Sequence, residues 1–180
     1  MSAEPKNAGP GPWSRNLWRR LFRDEVFRDQ MRFFRKVILF RGLSDRLLSR
    51  LVHTIMEKTY AEKDLIFQEG DVGRAMFIVA EGRVRLFQNG KKNGPPETIA
   101  EIGPGEFFGE MVLLDELPRS ASAEALESTR LYILYKSNFD GLLTDAPDVA
   151  SKVLHTLARL LSARLRRENF NSTSVNYPGR

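Results

Sequence analysis

Residues 107–123 read FFGEMVLLDELPRSASA, and they place one acid directly after a glycine and one arginine nine residues later. The segment GEMVLL is too short for a core helix but suits a single helical turn. The first backbone N–H groups of such a turn have no partner within the turn and favour an anion. Pro118 stiffens the chain before Arg119, and Ser120 adds a hydroxyl donor. These groups together predict a phosphate site.

The acid in this stretch, Glu110, cannot bind a phosphate, but its carboxylate can accept hydrogen bonds from sugar hydroxyls. A phosphate and a sugar hydroxyl bound by one short segment suggest a nucleotide with a compact phosphate. The alternative interpretation is a surface ion pair between Glu110 and Arg119, worth about 0–1 kcal/mol. Charge spacing alone favours the ion pair, and glycines are also common in β-turns.

The composition limits the possible classes of protein. A chain of 180 residues, 42% of them hydrophobic, can bury one good core, so one domain is expected. It has no cysteine, which excludes disulfides, thiolate nucleophiles and cysteine metal sites, and its two histidines form no ligand cluster. No apolar run approaches the ~20 residues of a membrane span. The sequence predicts a cytoplasmic protein that is not an enzyme and holds no metal.

The net charge of +5 is concentrated near the N-terminus, where residues 15–41 hold eight arginines and one lysine against three acids. Apolar residues recur at helical spacing among these arginines. The favoured interpretation is a helix that packs on the rest of the protein or on another subunit, with its arginines in solvent. The alternative is contact of residues 13–36 with an acidic membrane surface.

The sequence pattern changes after position 58, where frequent glycines separate short apolar runs. This pattern is typical of an antiparallel sandwich or roll. The predicted class is α+β, an antiparallel β-roll (jelly-roll-like, a double-stranded β-helix) flanked by N-terminal and C-terminal helices. The predicted boundaries are a disordered lead at 1–12, N-terminal helices at 13–56, the roll at 57–135, closing helices at 136–170 and a loose tail at 171–180.

The stretch FGEMVLLDELPRSASA resembles the phosphate-binding cassette of cyclic nucleotide-binding domains, the family of the kinase A regulatory subunit, the catabolite activator and cyclic-nucleotide-gated channels. The glycine, glutamate, leucine, proline and arginine stand at the family spacing, which places the cassette at residues 107–122. The segments LFRGLSDRLLSRL and IFQEGDVGRAMFIVAEGRVRLF and the two closing helices also fit. The resemblance covers about residues 38–170 and implies the family fold.

The resemblance also implies roles for individual residues. Arg119 would pair with the cyclic phosphate, and Glu110 would accept from the ribose 2′-hydroxyl. Backbone N–H groups from Gly109 to Met111 and near Ala121 would assist, while Ser120 would reach the phosphate or the base. On the closing helix, the residues implied as base or lid contacts are Leu160, Leu161 and Arg164. Val112 departs from the small residue usual in the family, and its bulk is expected to crowd the sugar or to tilt the short helix.

The resulting prediction is a sensor of cyclic AMP or cyclic GMP that binds no other cofactor and signals when its closing helices repack, with a slight preference for cyclic AMP. A homodimer through residues 148–169 is expected from the leucine stripe there. The effector is not identified, and no nucleic acid is expected as a partner because ten residues after Phe170 are too few for a helix-turn-helix. The rival hypothesis is a scaffold with this fold that binds no nucleotide and acts through protein or membrane contacts.

Overall fold

The first part of the described chain is helical. A computed structural model describes residues 25–90 and 94–173, with side chains as far as position 167. Helix α1 occupies residues 25–34 and is followed by a 3-10 turn at Ile38–Phe40 and by helix α2 at Asp45–Val52. Ser44 precedes α2 in extended backbone, as expected for the residue before a helix start. The predicted lead at 1–12 lies outside the described residues.

Eight strands follow, separated by turns. In chain order, the strands are β1 (Met56–Tyr60), β2 (Leu65–Phe67), β3 (Ala75–Glu81), β4 (Val84–Gln88), β5 (Glu97–Ile102), β6 (Phe107–Phe108), β7 (Ser122–Ala125) and β8 (Thr129–Tyr135). They form two antiparallel four-stranded sheets with the orders β1-β8-β3-β6 and β2-β7-β4-β5. Consecutive strands alternate between the sheets except for the hairpin β4–β5, and the predicted antiparallel roll is confirmed.

Strand β3 is the centre of the molecule because its first six residues are buried on both faces. Phe77 and Val79 face the space between the sheets, where they pack with residues of β7 and β8. Met76 and Ile78 face the helices on the other side of their sheet. Side chains alternate across a strand, so this continuous apolar run fills two cores at once. The layers are therefore sheet, sheet and helices.

The chain closes with two helices, α3 (Lys136–Asp145) and α4 (Pro147–Thr173). Pro147 opens α4, where its missing N–H removes no helical hydrogen bond. The buried face of α4 packs in the helical core, with Val153 and Leu157 fully buried. α4 continues to Thr173, into the segment predicted as a loose tail. None of the helices in the described segments is long and apolar enough to cross a membrane.

The predicted homodimer requires the leucine stripe of α4 to be exposed in a single chain, but most of these side chains are buried or partly buried there. Leu157 belongs to the core of its own domain, and Leu154, Leu160 and Leu161 are partly buried against that core. Leu165, one turn beyond Leu161, is 59% exposed. α4 packs with α3, α2 and the 3-10 turn at Ile38–Phe40 in the helical core. The stripe is thus largely satisfied within the chain.

Candidate functional site

The cassette, residues 107–122, connects the edge strand β6 to β7. Gly109 takes a left-handed conformation with φ of 67°, and a 3-10 helix, Glu110–Leu113, follows directly. Only glycine adopts this conformation without strain, so Gly109 sets the sharp turn from strand to helix. The helical turn predicted for GEMVLL is therefore present, in its tighter 3-10 form.

The side chain of Arg119 lies beneath this turn and is half-buried. Its Nη1 donates to the carbonyl oxygen of Gly109 at 3.1 Å, and its Nη2 donates to the carbonyl oxygen of Ala75 at 2.6 Å. The guanidinium carbon lies 4.2 Å from the centre of the Phe67 ring, a cation–π distance. Backbone carbonyls and an aromatic ring thus orient the arginine across the end of the roll.

Burial lowers the pKa of Arg119, while the carboxylates of Asp71 and Glu110 act in the opposite direction. Neither acid forms a salt bridge with Arg119 among the described residues. Arginine remains charged at neutral pH, so Arg119 is a partly desolvated cation that donates its hydrogen bonds at Gly109 and Ala75 to neutral carbonyls. A guanidinium has five N–H donors, and the two bonds to carbonyls leave three of them for an incoming anion.

Main-chain hydrogen bonds hold the arginine end of the cassette against the loop between β2 and β3. The Arg119 N–H donates to the carbonyl oxygen of Asp71, and the Gly70 N–H donates to the carbonyl oxygen of Arg119, both at 2.8 Å. Val72 and Pro118 form an isolated antiparallel bridge beside them. The arginine is therefore fixed through its backbone as well as through its side chain.

Glu110 is the buried carboxylate of the cassette, with 6% of its surface exposed. Its Oε1 accepts a hydrogen bond from Nη1 of Arg164 at 2.9 Å, and the Arg164 side chain is 58% exposed. The guanidinium carbon of Arg164 also lies 5.9 Å from the centre of the Phe107 ring. This contact joins α4 to the cassette across 54 residues of sequence. The structure therefore pairs Glu110 with Arg164 rather than with Arg119, and the predicted alternative of a Glu110–Arg119 ion pair is wrong.

The other residues implied by the sequence lie around these two arginines. Ser120 and Met111 are exposed on the cassette, and Ala121 directly precedes β7. The Ser120 carbonyl oxygen accepts from the side-chain amide of Gln88 at 2.8 Å. Leu160 and Leu161 are partly buried on α4 and pack against the helical core. Arg164, predicted as a base or lid contact, donates a hydrogen bond from α4 to Glu110.

Val112, the departure from the family pattern, has a buried side chain that packs in the helical core. A Cβ placed on Gly73 would lie 3.2 Å from a methyl group of Val112, so the two positions are in close contact. The absence of a side chain at Gly73 makes room for the extra bulk at Val112. The valine is thus accommodated by the β2–β3 loop, and the predicted crowding of the sugar does not follow from its packing here.

Several residues of the site had no recognisable sequence signal. Ala75 contributes only its carbonyl oxygen, so the residue type at this position does not indicate the contact with Arg119. Phe67 lies 52 positions before Arg119 in the chain, and an aromatic residue in a strand indicates core packing first. Gly73 lies in a glycine-rich region whose pattern indicates only turns, and its contact with Val112 depends on how the β2–β3 loop packs against the cassette.

The turn at Gly109 gives a prediction with a matched control. A Cβ at Gly109 would lie 2.6 Å from Nη1 of Arg119, whereas a Cβ at Gly105, which also has positive φ (83°), meets nothing within 4 Å. Both alanine variants should lose stability by about 1–2 kcal/mol from backbone strain. Only Gly109→Ala should also displace the guanidinium. Calorimetric titration with cyclic AMP should show about fivefold weaker binding for Gly109→Ala than for Gly105→Ala, and equal affinities would contradict this geometry.

The comparisons with known proteins give the class. Residues 57–146, half of the chain, match the family model described as the cyclic nucleotide-binding domain. The chain therefore belongs to the cyclic nucleotide-binding domain family, and the resemblance of its cassette is confirmed. This is a family of regulatory binding domains, which agrees with the prediction that the chain binds a ligand rather than catalyses a reaction.

Individual relatives support the same class. The chain is 43% identical over 139 residues to the cyclic AMP receptor protein of Thermus thermophilus, covering 77% of this chain and 62% of that protein. A cyclic nucleotide-binding domain from Methylobacillus flagellatus has a similar structure, with a TM-score of 0.70, 27% identity and coverage of 83% of this chain and 87% of that one. The N-terminal domain of a transcriptional regulator from Streptomyces coelicolor gives a TM-score of 0.66 at 34% identity, covering 76% and 94%. The chain spans less than two thirds of the length of the Thermus protein.

Proposed function

We propose that this protein is a sensor of cyclic purine nucleotides in which Arg119 binds the cyclic phosphate. The observation that carries the proposal is the half-buried guanidinium of Arg119, held by neutral carbonyls at the end of the roll. Burial lowers the pKa of Arg119, because the folded protein removes part of the water around its charge. Among the described residues, no carboxylate forms a salt bridge with this cation. A singly charged phosphate in the cassette would supply that partner through charge-assisted hydrogen bonds.

The second contact of the proposed ligand is with Glu110. A buried carboxylate has spare acceptor capacity, since its two oxygens offer about four lone-pair sites. One of them is used by Arg164 in the structure. The ribose 2′-hydroxyl would donate to this carboxylate, either beside Arg164 or in its place. The Arg164 side chain is 58% exposed and can move into solvent, and the ribose hydroxyl would then replace its hydrogen bond to the buried Glu110 carboxylate.

The contact between Arg164 and Glu110 suggests how binding is communicated to the closing helices. The carboxylate belongs to the cassette and the guanidinium belongs to α4. Any change at Glu110 therefore alters the hydrogen bond that holds this part of α4 to the roll. A ligand shifts the position of α4 only if it binds one arrangement better than the other. We propose that ligand contacts at Glu110 redirect Arg164, and that α3 and α4 then repack.

Paired calorimetric titrations with cyclic AMP and cyclic GMP test the proposed function. We expect binding of both, with cyclic AMP favoured by less than about 1.4 kcal/mol, a tenfold ratio at most. The hydroxyl of Ser120 can turn to the phosphate shared by both ligands, and the apolar Leu160 and Leu161 offer no hydrogen bond to a base. The Thermus relative is named for cyclic AMP. No binding of either nucleotide would favour the scaffold hypothesis, and a more than tenfold preference for cyclic GMP would refute the preference stated here.

The role of Glu110 gives a separate prediction. Glu110→Gln keeps the shape and one acceptor oxygen but removes the charge, so the bond to the ribose hydroxyl should weaken by about 1 kcal/mol, roughly fivefold in affinity. The 2′-deoxy analogue lacks that hydroxyl and serves as the matched ligand control. Titration should show that the substitution affects cyclic AMP much more than 2′-deoxy cyclic AMP. Equal losses for the two ligands would rule out the ribose role.

Two further expectations about partners belong to this proposal. A homodimer through α4 would use its partly buried leucines and the exposed Leu165, and an exposed apolar side chain on a helix is suited to such a contact. The effector protein stays unidentified. The expectation of no nucleic-acid partner stays a prediction, and it is weakened by the relative that is the N-terminal domain of a transcriptional regulator. The cytoplasmic location is likewise a prediction.

A further inference from the structure

A cleft opens at the cassette end of the roll, between the two sheets, and its volume is about 240 Å³. It lies where β1 and β2, the edge strands of the two sheets, leave the space between the sheets open. Arg119 reaches one wall of the cleft, but the lining includes neither Glu110 nor Ser120 nor any residue of α4. The cleft is therefore distinct from the groups proposed to bind the sugar and the base.

Aromatic rings form much of the cleft wall. Tyr60, Phe67 and Phe77 line it from three different strands, and Phe67 and Phe77 contact each other with centroids 5.7 Å apart. Tyr135 stands at the end of β8 on the same side. An engineered apolar cavity of about 150 Å³ holds benzene, so this larger cleft has room for a one- or two-ring compound. Mouths of β-barrels are frequent sites of small-ligand binding.

Positive charge dominates the rim of the cleft. Lys58 and Arg74 are exposed there, and within the described segments neither forms a salt bridge. The Lys58 ammonium lies 4.3 Å above the centre of the Tyr60 ring, which keeps it over the aromatic wall. Asp71 is the one acid of the lining, and its Oδ2 already accepts from the N–H of Gln68 at 2.8 Å. The Lys58 ammonium over the Tyr60 ring and the Arg74 cation at the same rim suit a flat ligand that carries a negative charge.

We propose that this cleft is a second binding site, for a small aromatic carboxylate. The ring system would pack against the aromatic wall formed by Tyr60, Phe67 and Phe77. The carboxylate would face the rim and accept hydrogen bonds from Lys58 and Arg74. No nucleotide is needed for this site, so the inference stands or falls independently of the proposed cyclic-nucleotide function.

The first test uses 2-naphthoate as the probe, with the full chain in the absence of nucleotide. Calorimetry should show saturable binding of 2-naphthoate and at least about tenfold weaker binding of the neutral 2-naphthamide, because the amide has no charge for the rim cations. In spectra of protein labelled at tyrosine, the ring signals of Tyr60 and Tyr135 should shift. Tyr132 packs on the helical side of its sheet and should not shift. Equal binding of acid and amide, or an equal shift of Tyr132, would overturn the proposal.

The second test reverses the charge of the rim. Lys58→Glu combined with Arg74→Glu should reduce 2-naphthoate affinity by at least about tenfold, since two attractive charges become repulsive. The control is Arg46→Glu combined with Arg159→Glu. It changes the net charge by the same amount, at exposed helical positions outside the cleft. Thermal unfolding of all variants reports whether they fold. An unchanged affinity in a folded rim variant, or an equal loss in both double variants, would refute the site.

Discussion

Replacing Arg119 by alanine should weaken cyclic AMP binding by about tenfold to a hundredfold. The substitution removes a partly desolvated cation that is proposed to contact the phosphate, and charge-assisted hydrogen bonds of this kind are worth roughly 1.5–3 kcal/mol. It also removes the bonds to the carbonyl oxygens of Gly109 and Ala75, so the cassette would lose part of its support. The measurement is calorimetric titration with cyclic AMP.

Two controls separate the phosphate contact from the structural role of Arg119. Arg119→Lys keeps the charge but cannot donate in two directions from a planar group, so it should recover only a small part of the affinity. Arg159→Ala removes an exposed arginine of α4 and should leave affinity unchanged. Thermal unfolding shows which variants are folded. Wild-type affinity in a folded Arg119→Ala protein would refute the proposed phosphate site.

A second large effect is expected from glutamate substitutions at two leucines of α4. Leu157 is fully buried in the helical core, and Leu165 is 59% exposed two turns later. Leu157→Glu places a carboxylate in an apolar environment and should lower the free energy of unfolding by several kcal/mol, enough to unfold a marginally stable domain. Leu165→Glu should leave stability nearly unchanged while weakening the proposed dimer.

Denaturant unfolding and light scattering measure these two effects separately. The expected result is a monomeric, folded Leu165→Glu protein beside a dimeric wild type at tens of micromolar, together with a largely unfolded Leu157→Glu protein. A wild type that is monomeric at that concentration would remove the dimer from the proposal. Wild-type stability in Leu157→Glu would contradict the burial of this residue in the helical core.

The roll and its cassette could be predicted because their signals are local. Glycine spacing, short apolar runs and the order of cassette residues each act within a few positions, and the antiparallel sheets formed where they indicated. The reversal at Gly109 could be predicted because glycine adopts positive φ at the lowest steric cost. Pro147 marked the start of α4 for a similar reason, since its ring fixes φ near the helical value.

The contacts that complete the site could not be predicted because they join distant parts of the chain through groups with several possible partners. Glu110 could pair with Arg119 or with Arg164. The position of α4 against the cassette determines that Arg164 is its partner. The same placement determined that Leu157 packs inward. A leucine stripe indicates that a helix has an apolar face. Tertiary packing determines whether another chain or the helix's own domain covers that face.

The two oxygen atoms that hold Arg119 belong to the main chain of Gly109 and Ala75. Every residue type carries the same carbonyl, so natural variation at position 75 is limited by the volume that the core accepts and not by the arginine. Homologous chains could exchange alanine there for another small residue and keep an arginine oriented in the same way. Mutational scanning of position 75 should therefore separate into tolerated small residues and rejected large or charged ones, because the site lies in the apolar core between the sheets.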